Sequence, residues 1–137
     1  MKKILVLCTG NSCRSQMMHG YLQDMAGETA KIYSAGVETH GVNPFAIGVM
    51  AEDAVHIHDH SSNHVDEYQE IHFDLVITVC DHAREICPIF PNANETRHHA
   101  FNDPSHGEGS AKELIAAFRK TRDEIKDFAA ALVKEWE

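Results

Sequence analysis

The chain lacks long hydrophobic runs and lacks an excess of positive charge. None of its apolar stretches approaches the roughly 18 residues that a membrane-spanning helix needs. Lysine and arginine number 12 against 21 aspartates and glutamates, a formal net charge of −9 with neutral histidines. Nucleic acids and anionic membranes attract clustered positive charge, so we expect neither as a partner, and a local site must hold any anionic ligand.

Cysteine is also scarce, and the four cysteines do not suit a secreted disulfide scaffold. They are Cys8, Cys13, Cys80 and Cys87. The opening "MKKILVLC" has too short an apolar stretch for a signal peptide, and no small-residue cleavage site follows it. A chain of 137 residues can form a hydrophobic core without disulfides. We therefore expect a single cytoplasmic domain over residues 1–137, with thiols that react or bind metal.

Strand patterns alternate with helical patterns along the chain. Apolar runs predict strands at 4–8, 32–35, 74–80 and 98–101. The predicted helices run from Ser12 to about Ala26, from the Asn43 cap with Pro44 at the first position, and from the Ser110 cap to the end of the chain. Such an alternation predicts an α/β fold, with a parallel sheet covered on both faces.

The segment "CTGNSCRS" joins the first predicted strand to the first predicted helix, at the edge where open α/β sheets bind ligands. Gly10 and Asn11 tolerate left-handed backbone geometry, so the loop can curl with several N–H groups pointing inward. The positive end of the helix and the guanidinium of Arg14 favour negative charge there. The predicted oxyanion-binding residues are Thr9, Gly10, Asn11, Ser12, Cys13 and Arg14.

The same groups favour a thiolate on Cys8, which becomes a candidate nucleophile facing a bound oxyanion. Ser15 could donate a hydrogen bond to that thiolate. The alternative is that Cys8 only ends a buried strand, because cysteine is often a small core hydrophobe. A candidate general acid is Asp103 in "FNDPSHG", since it follows the last predicted strand at the same sheet edge and is held by Pro104.

Four motifs occur in order along the chain: "CTGNSCRSQM", "YSAGVETHGVNP", "VITVCDHAREICP" and "FNDPS". Together they resemble the thioredoxin-coupled arsenate reductases built on the low-molecular-weight tyrosine phosphatase fold. The resemblance implies a four-stranded parallel sheet flanked by helices on both faces. It also implies reduction of arsenate to arsenite without an organic cofactor, with Cys8 as nucleophile, Arg14 as oxyanion clamp and Asp103 as general acid.

The resemblance further implies a relay of three thiols. Cys80 attacks Cys8, which releases arsenite and leaves a disulfide between them, and Cys87 then moves the disulfide to Cys80–Cys87. Thioredoxin reduces that bond by thiol exchange, with glutaredoxin or another thiol system as open alternatives. We expect a monomer. From the residues alone, Cys80 could equally be a core strand residue and Cys87 an incidental thiol, and Cys13 has no required catalytic role.

Two other functions compete with this interpretation. A low-molecular-weight protein tyrosine phosphatase would share the loop and the acid. However, Gln16 stands where phosphatases typically resemble "CRSP", and Ser105 and His106 stand where aromatic residues would stack on phosphotyrosine. A zinc-binding thiol module would use Cys80, Cys87 and nearby His82, but Cys-x6-Cys is not a typical zinc spacing.

We expect no bound metal. A relative with a monovalent-cation site would carry carboxylates at the positions of His19 and Asn63, beside Asn11 and Ser34, whereas hard cations prefer anionic oxygen ligands. Asn11 is instead expected to brace the loop. A second metal hypothesis concerns His56, His58 and His60, which would share one face of an extended segment, but we interpret them as solvent-facing.

Overall fold

The computed structural model describes residues 1–81, 89–106 and 109–136. The strands in these ranges are β1 (Lys2–Cys8), β2 (Ala30–Gly36), β3 (Phe73–Thr78) and β4 (Ala93–His98). The α-helices in the same ranges are α1 (Arg14–Ala26), α2 (Pro44–Glu52) and α3 (Ala111–Lys134). Short 3₁₀ helices form at Gly27–Thr29, Val65–Tyr68 and Pro104–His106. Among the described helices, none is both long and apolar enough to cross a membrane.

The four strands form one parallel sheet in the order β2-β1-β3-β4. The central strand β1 is paired on both sides, with Cys8 opposite Gly36 of β2 and Leu7 opposite Thr78 of β3. Parallel pairing brings all the carboxyl ends to one edge, where the loops after β1, β3 and β4 meet. The predicted four-stranded parallel sheet is confirmed.

Side chains of β1 alternate between two hydrophobic layers, as the period of two in a strand requires. Ile4 and Val6 pack in the larger cluster, which the three α-helices cover. Leu5 and Leu7 pack in the smaller cluster, against Phe90 and residues of the 3₁₀ helix at Val65–Tyr68. Helical segments therefore lie on both faces of the sheet, and all three described α-helices lie on one of them.

The predicted fourth strand at 98–101 is wrong, because β4 runs over Ala93–His98. Its sequence, ANETRH, is mostly exposed at the sheet edge, so it carries no apolar run to mark it. Residues 99–101 nevertheless remain hydrogen-bonded beside the end of β3, since His99 N donates to Thr78 O at 2.9 Å and Phe101 N to Val79 O at 3.2 Å. The third strand is also shorter than predicted, because it ends at Thr78.

The helix boundaries largely follow the predicted caps. Helix α1 ends at Ala26 and is capped by Gly27, whose φ of 57° lies in the region that favours glycine. It begins at Arg14, two residues later than predicted, because Ser12 and Cys13 belong to the preceding loop. Asn43 caps α2 with Pro44 at its first position, and Ser110 Oγ caps α3 by accepting from Glu113 N at 3.2 Å.

The cap of α2 generates a stability prediction. Asn43 Oδ1 accepts from Phe45 N at 2.8 Å and from Ala46 N at 3.4 Å. Asn43→Ala should lower the free energy of unfolding by about 1 kcal/mol, because these amides lose their partner. Urea unfolding under reducing conditions measures the loss. Asn43→Asp keeps the oxygen and should stay close to wild type; an equal loss in both variants would contradict a role for the cap oxygen.

Candidate active site

The loop between β1 and α1 curls because its carbonyl groups are bound from outside. Four successive carbonyl oxygens accept hydrogen bonds: Thr9 O from Glu38 N at 3.0 Å, Gly10 O from His40 N at 3.1 Å, Asn11 O from Ser62 Oγ at 2.6 Å, and Ser12 O from Asn43 N at 3.0 Å. In a trans peptide the N–H points opposite to the C=O. The amides of residues 10–13 therefore face the inside of the curl, a geometry that suits an oxyanion.

Asn11 fixes the shape of this loop. Its φ of 48° is left-handed, which asparagine tolerates better than most residues. The fully buried side chain accepts from Asn63 N at 2.8 Å through Oδ1 and donates to Ser15 Oγ at 2.9 Å through Nδ2. These two hydrogen bonds are the contacts by which Asn11 would brace the loop, as we expected.

Cys8 lies at the base of the curl, as the last residue of β1. Its Sγ is 2.9 Å from Ser15 Oγ, and both residues are buried. Ser15 Oγ accepts from Asn11 Nδ2, and its hydroxyl can donate to or accept from a Cys8 thiol, whereas a thiolate can only accept. A thiolate on Cys8 would therefore receive a hydrogen bond from Ser15.

Arg14 and Asp103 meet beside the loop. Arg14 is 3% exposed, and its Nη1 donates to Phe101 O at 3.2 Å. Its Nη2 lies 3.5 Å from Asp103 Oδ2. The segment after β4 thus positions a buried cation and a carboxylate at the same edge of the sheet as Cys8.

Cys13 makes a contact that the sequence did not indicate. Its buried Sγ donates to Asp103 Oδ1 at 3.5 Å. Burial, and then the charges of Asp103 and Cys8, raise the pKa of the Cys13 thiol well above its usual range. Cys13 therefore stays protonated and acts as a hydrogen-bond donor to the carboxylate.

The remaining predicted thiols lie beyond β3. Cys80 is fully buried and follows the end of β3 by two residues, so the expectation that it ends the strand is wrong. It is disulfide-bonded, whereas Cys8 and Cys13 are free thiols. The interpretation of Cys87 falls outside the described residues.

Residues 3–137 match the family described as low molecular weight phosphotyrosine protein phosphatase. The chain belongs to this family. The arsenate reductase of Halalkalibacterium halodurans is 45% identical to it over 90% of this chain and 89% of that protein. The arsenate reductase of Bacillus subtilis is 42% identical over 93% and 95%. A solved structure titled as an arsenate reductase in the phosphate binding state has a TM-score of 0.83 and 26% identity over 98% of each chain. The predicted resemblance to arsenate reductases with the low-molecular-weight tyrosine phosphatase fold is confirmed.

Behind the phosphatase-family loop lies a neutral polar cluster that sequence reasoning missed. Gln16 Nε2 donates to Asn11 O at 3.1 Å, and Gln16 Oε1 lies 3.0 Å from His60 Nδ1. The ring of His60 contacts that of His19 in a tilted arrangement, with centroids 4.4 Å apart, and His19 Nδ1 lies 2.9 Å from Ser34 Oγ. Gln16 and His60, which are in direct contact, are 44 positions apart in sequence, so no local pattern signals the cluster.

The histidine segment does not present three rings to one side. His56 and His58 are exposed, with ring centroids 6.1 Å apart, whereas His60 turns inward against His19. Within residues 1–81, 89–106 and 109–136, no group of three or more histidine, cysteine or acidic side chains could hold a metal ion. The alternative zinc site includes His82 and Cys87, which lie outside those ranges.

The contact between His19 and His60 generates a prediction about pH. Burial, followed by the charge of His60, lowers the pKa of His19 from 6.5 to about 3, and burial also lowers the pKa of His60. The unfolded chain therefore binds protons before the folded protein does, and stability falls as pH drops below about 6.5. The free energy of unfolding should decrease by up to about 1.4 kcal/mol per pH unit for His19.

Urea unfolding at pH 7.5 and 5.5 measures this dependence. In His19→Gln the side chain cannot ionise, so its loss of stability over that interval should be smaller than that of wild type by about 1 kcal/mol. Equal losses in the two proteins would show that His19 is not buried in its neutral form.

Proposed function

We propose that this protein reduces arsenate to arsenite through a relay of three thiols. The observation that carries the proposal is the register of β1 and β3 beside a curled oxyanion loop. Val79 N donates to Leu7 O at 2.9 Å, so Cys80 lies one residue beyond the position opposite Cys8 on the neighbouring strand. Both cysteines pack in the same hydrophobic cluster. A second thiol so near the nucleophile suits a two-electron reduction, whereas hydrolysis needs only one thiol and water.

In the first proposed step arsenate occupies the curl. The backbone of residues 9–15 would hold its oxygens, and Arg14 would clamp them through its planar donors. The thiolate of Cys8, stabilised by Ser15, attacks arsenic. An As–O bond breaks as the S–As bond forms, and Asp103 supplies the proton that turns the departing oxygen into water.

In the second step the thiolate of Cys80 attacks Cys8 Sγ. The S–As bond breaks and its electron pair stays on arsenic, which is thereby reduced from As(V) to As(III) and leaves as arsenite. Two thiolate sulfurs are oxidised to a Cys8–Cys80 disulfide. Cys87 then attacks Cys80, Cys8 departs as a thiolate, and the disulfide moves to Cys80–Cys87. The disulfide state of Cys80 beside a free Cys8 thiol supports this final arrangement.

A dithiol of the thioredoxin class is the proposed reductant for that disulfide. Its exchange with Cys80–Cys87 restores two thiols and oxidises the dithiol, which closes the electron balance. We propose that the protein acts as a single-domain monomer in the cytoplasm, where a reducing thiol pool is available. The similarity to arsenate reductases of two bacteria supports the substrate.

Arsenate-dependent NADPH consumption with thioredoxin and thioredoxin reductase tests the relay. Wild type should turn over many times, with no consumption when phosphate replaces arsenate. Cys87→Ser should release about one arsenite per protein and then stop, because the disulfide cannot leave Cys8 and Cys80. Cys80→Ser should release none.

A different pattern would contradict the proposal. Wild type that consumes no NADPH with thioredoxin or glutaredoxin, yet hydrolyses an aryl phosphate at a rate unchanged by Cys87→Ser, would identify a phosphatase. Sustained arsenate turnover in Cys87→Ser would instead remove the third thiol from the relay.

A further inference from the structure

The carboxylate of Asp103 has two oxygens with different surroundings. Oδ1 accepts from the backbone N of Ser105 at 2.9 Å and from the hydroxyl of Ser105 at 2.6 Å. The thiol of Cys13 donates to the same oxygen at 3.5 Å. Oδ2 accepts from Arg14 Nη2 at 3.5 Å, on the side of the oxyanion loop. Ser105 therefore provides two of the donors that distinguish one oxygen from the other.

The difference between the two oxygens matters because a general acid must direct its protonated oxygen at the leaving group. Oδ1 accepts from three donors, Ser105 N, Ser105 Oγ and Cys13 Sγ, so Oδ2 is the oxygen to which we assign the transferred proton. The Oδ2 position also lies nearest the clamp that would hold arsenate. If the carboxyl group could rotate, the two oxygens would exchange places and the proton would point away from the leaving oxygen for part of the time.

We propose that Ser105 is a positioning residue that fixes Asp103 so that Oδ2 transfers the proton, an inference that rests on the proposed role of Asp103 as general acid. As Cys8 Sγ bonds to arsenic, the As–O bond breaks and the Oδ2 proton passes to the departing oxygen, leaving water and the Asp103 carboxylate. Ser105 touches neither arsenate nor Cys8 in this scheme. It acts through Asp103, with Cys13 as a weaker second contact.

A double-mutant cycle on pre-reduced protein tests the proposal. The readout is the single-turnover rate of arsenite release as a function of arsenate concentration, because this step does not involve the external reductant. Ser105→Ala should lower the maximal rate about ten-fold, since positioned general acids contribute about 10² to 10⁴ and the backbone donor remains. The arsenate concentration at half-maximal rate should change less than about two-fold, because the oxyanion loop is intact.

The effect of Ser105→Ala in wild type, compared with its effect in Asp103→Asn, distinguishes positioning of Asp103 from a general structural role. In Asp103→Asn, adding Ser105→Ala should change the maximal rate less than about two-fold, because residues that act as a unit are non-additive. Ser105→Thr keeps the hydroxyl and should restore most of the rate. Asn102→Ala changes an exposed residue on the other side of Asp103 and is the matched control. A urea midpoint equal to wild type shows that each variant folds.

If Ser105→Ala lowered the maximal rate by the same factor in wild type and in Asp103→Asn, the proposal would be overturned. An unchanged rate in Ser105→Ala alone would also overturn it. The same cycle with phenyl phosphate separates this inference from the proposed function, because a poor leaving group also needs the proton. Phenyl phosphate hydrolysis without arsenite release would overturn the reductase proposal while still deciding the role of Ser105. A wild-type protein that turns over neither substrate would overturn both.

Discussion

The left-handed turn at Asn11 is held by hydrogen bonds from residues far away in sequence, and the geometry of the site depends on these contacts. Two backbone carbonyls and an amide side chain in the loop are tied to Ser62 and Asn63, and other carbonyls to the segment after β2. Gly36 makes this arrangement possible, because a Cβ there would lie 2.5 Å from Thr9 O. The inward amides are thus oriented before any anion arrives, as electrostatic stabilisation of a developing charge requires.

Anion attraction in this acidic protein is local. The net charge of −9 opposes a long-range pull on arsenate or phosphate, and Arg14 is a buried cation at the loop, 3.5 Å from Asp103. The neighbouring His19 adds no positive charge at neutral pH, since burial holds its pKa near 3. The binding energy for an oxyanion must therefore come from short contacts to amides and guanidinium, which salt screens less than it screens surface charges.

The sequence predicts those parts of the fold that short-range chemistry controls. Gly27, Asn43 with Pro44, and Ser110 mark helix ends because their caps need particular residue types, and apolar runs mark the buried strands. Strand β4 could not be predicted, because an edge strand needs no apolar run. The start of α1 was predicted too early, because the carbonyl of Ser12 accepts from Asn43 N and Ser12 belongs to the loop. Contacts between distant positions, such as Cys13 with Asp103 and His60 with His19, leave no local pattern and require the folded structure.

The structure also bears on which thiol would resolve the oxidised Cys8 in the proposed relay. Cys13 belongs to the same loop, and its charge would interact with that of Cys8, so by proximity alone it would compete with Cys80. The attacking species in disulfide chemistry is the thiolate, however, and burial beside Asp103 keeps Cys13 protonated. Once Asp103 has given up its proton, its negative charge adds to burial in keeping Cys13 protonated, which disfavours an unproductive disulfide within the loop. Cys80, two residues beyond the end of β3, is left as the thiol that would carry the oxidation away from the oxyanion site in the proposed relay.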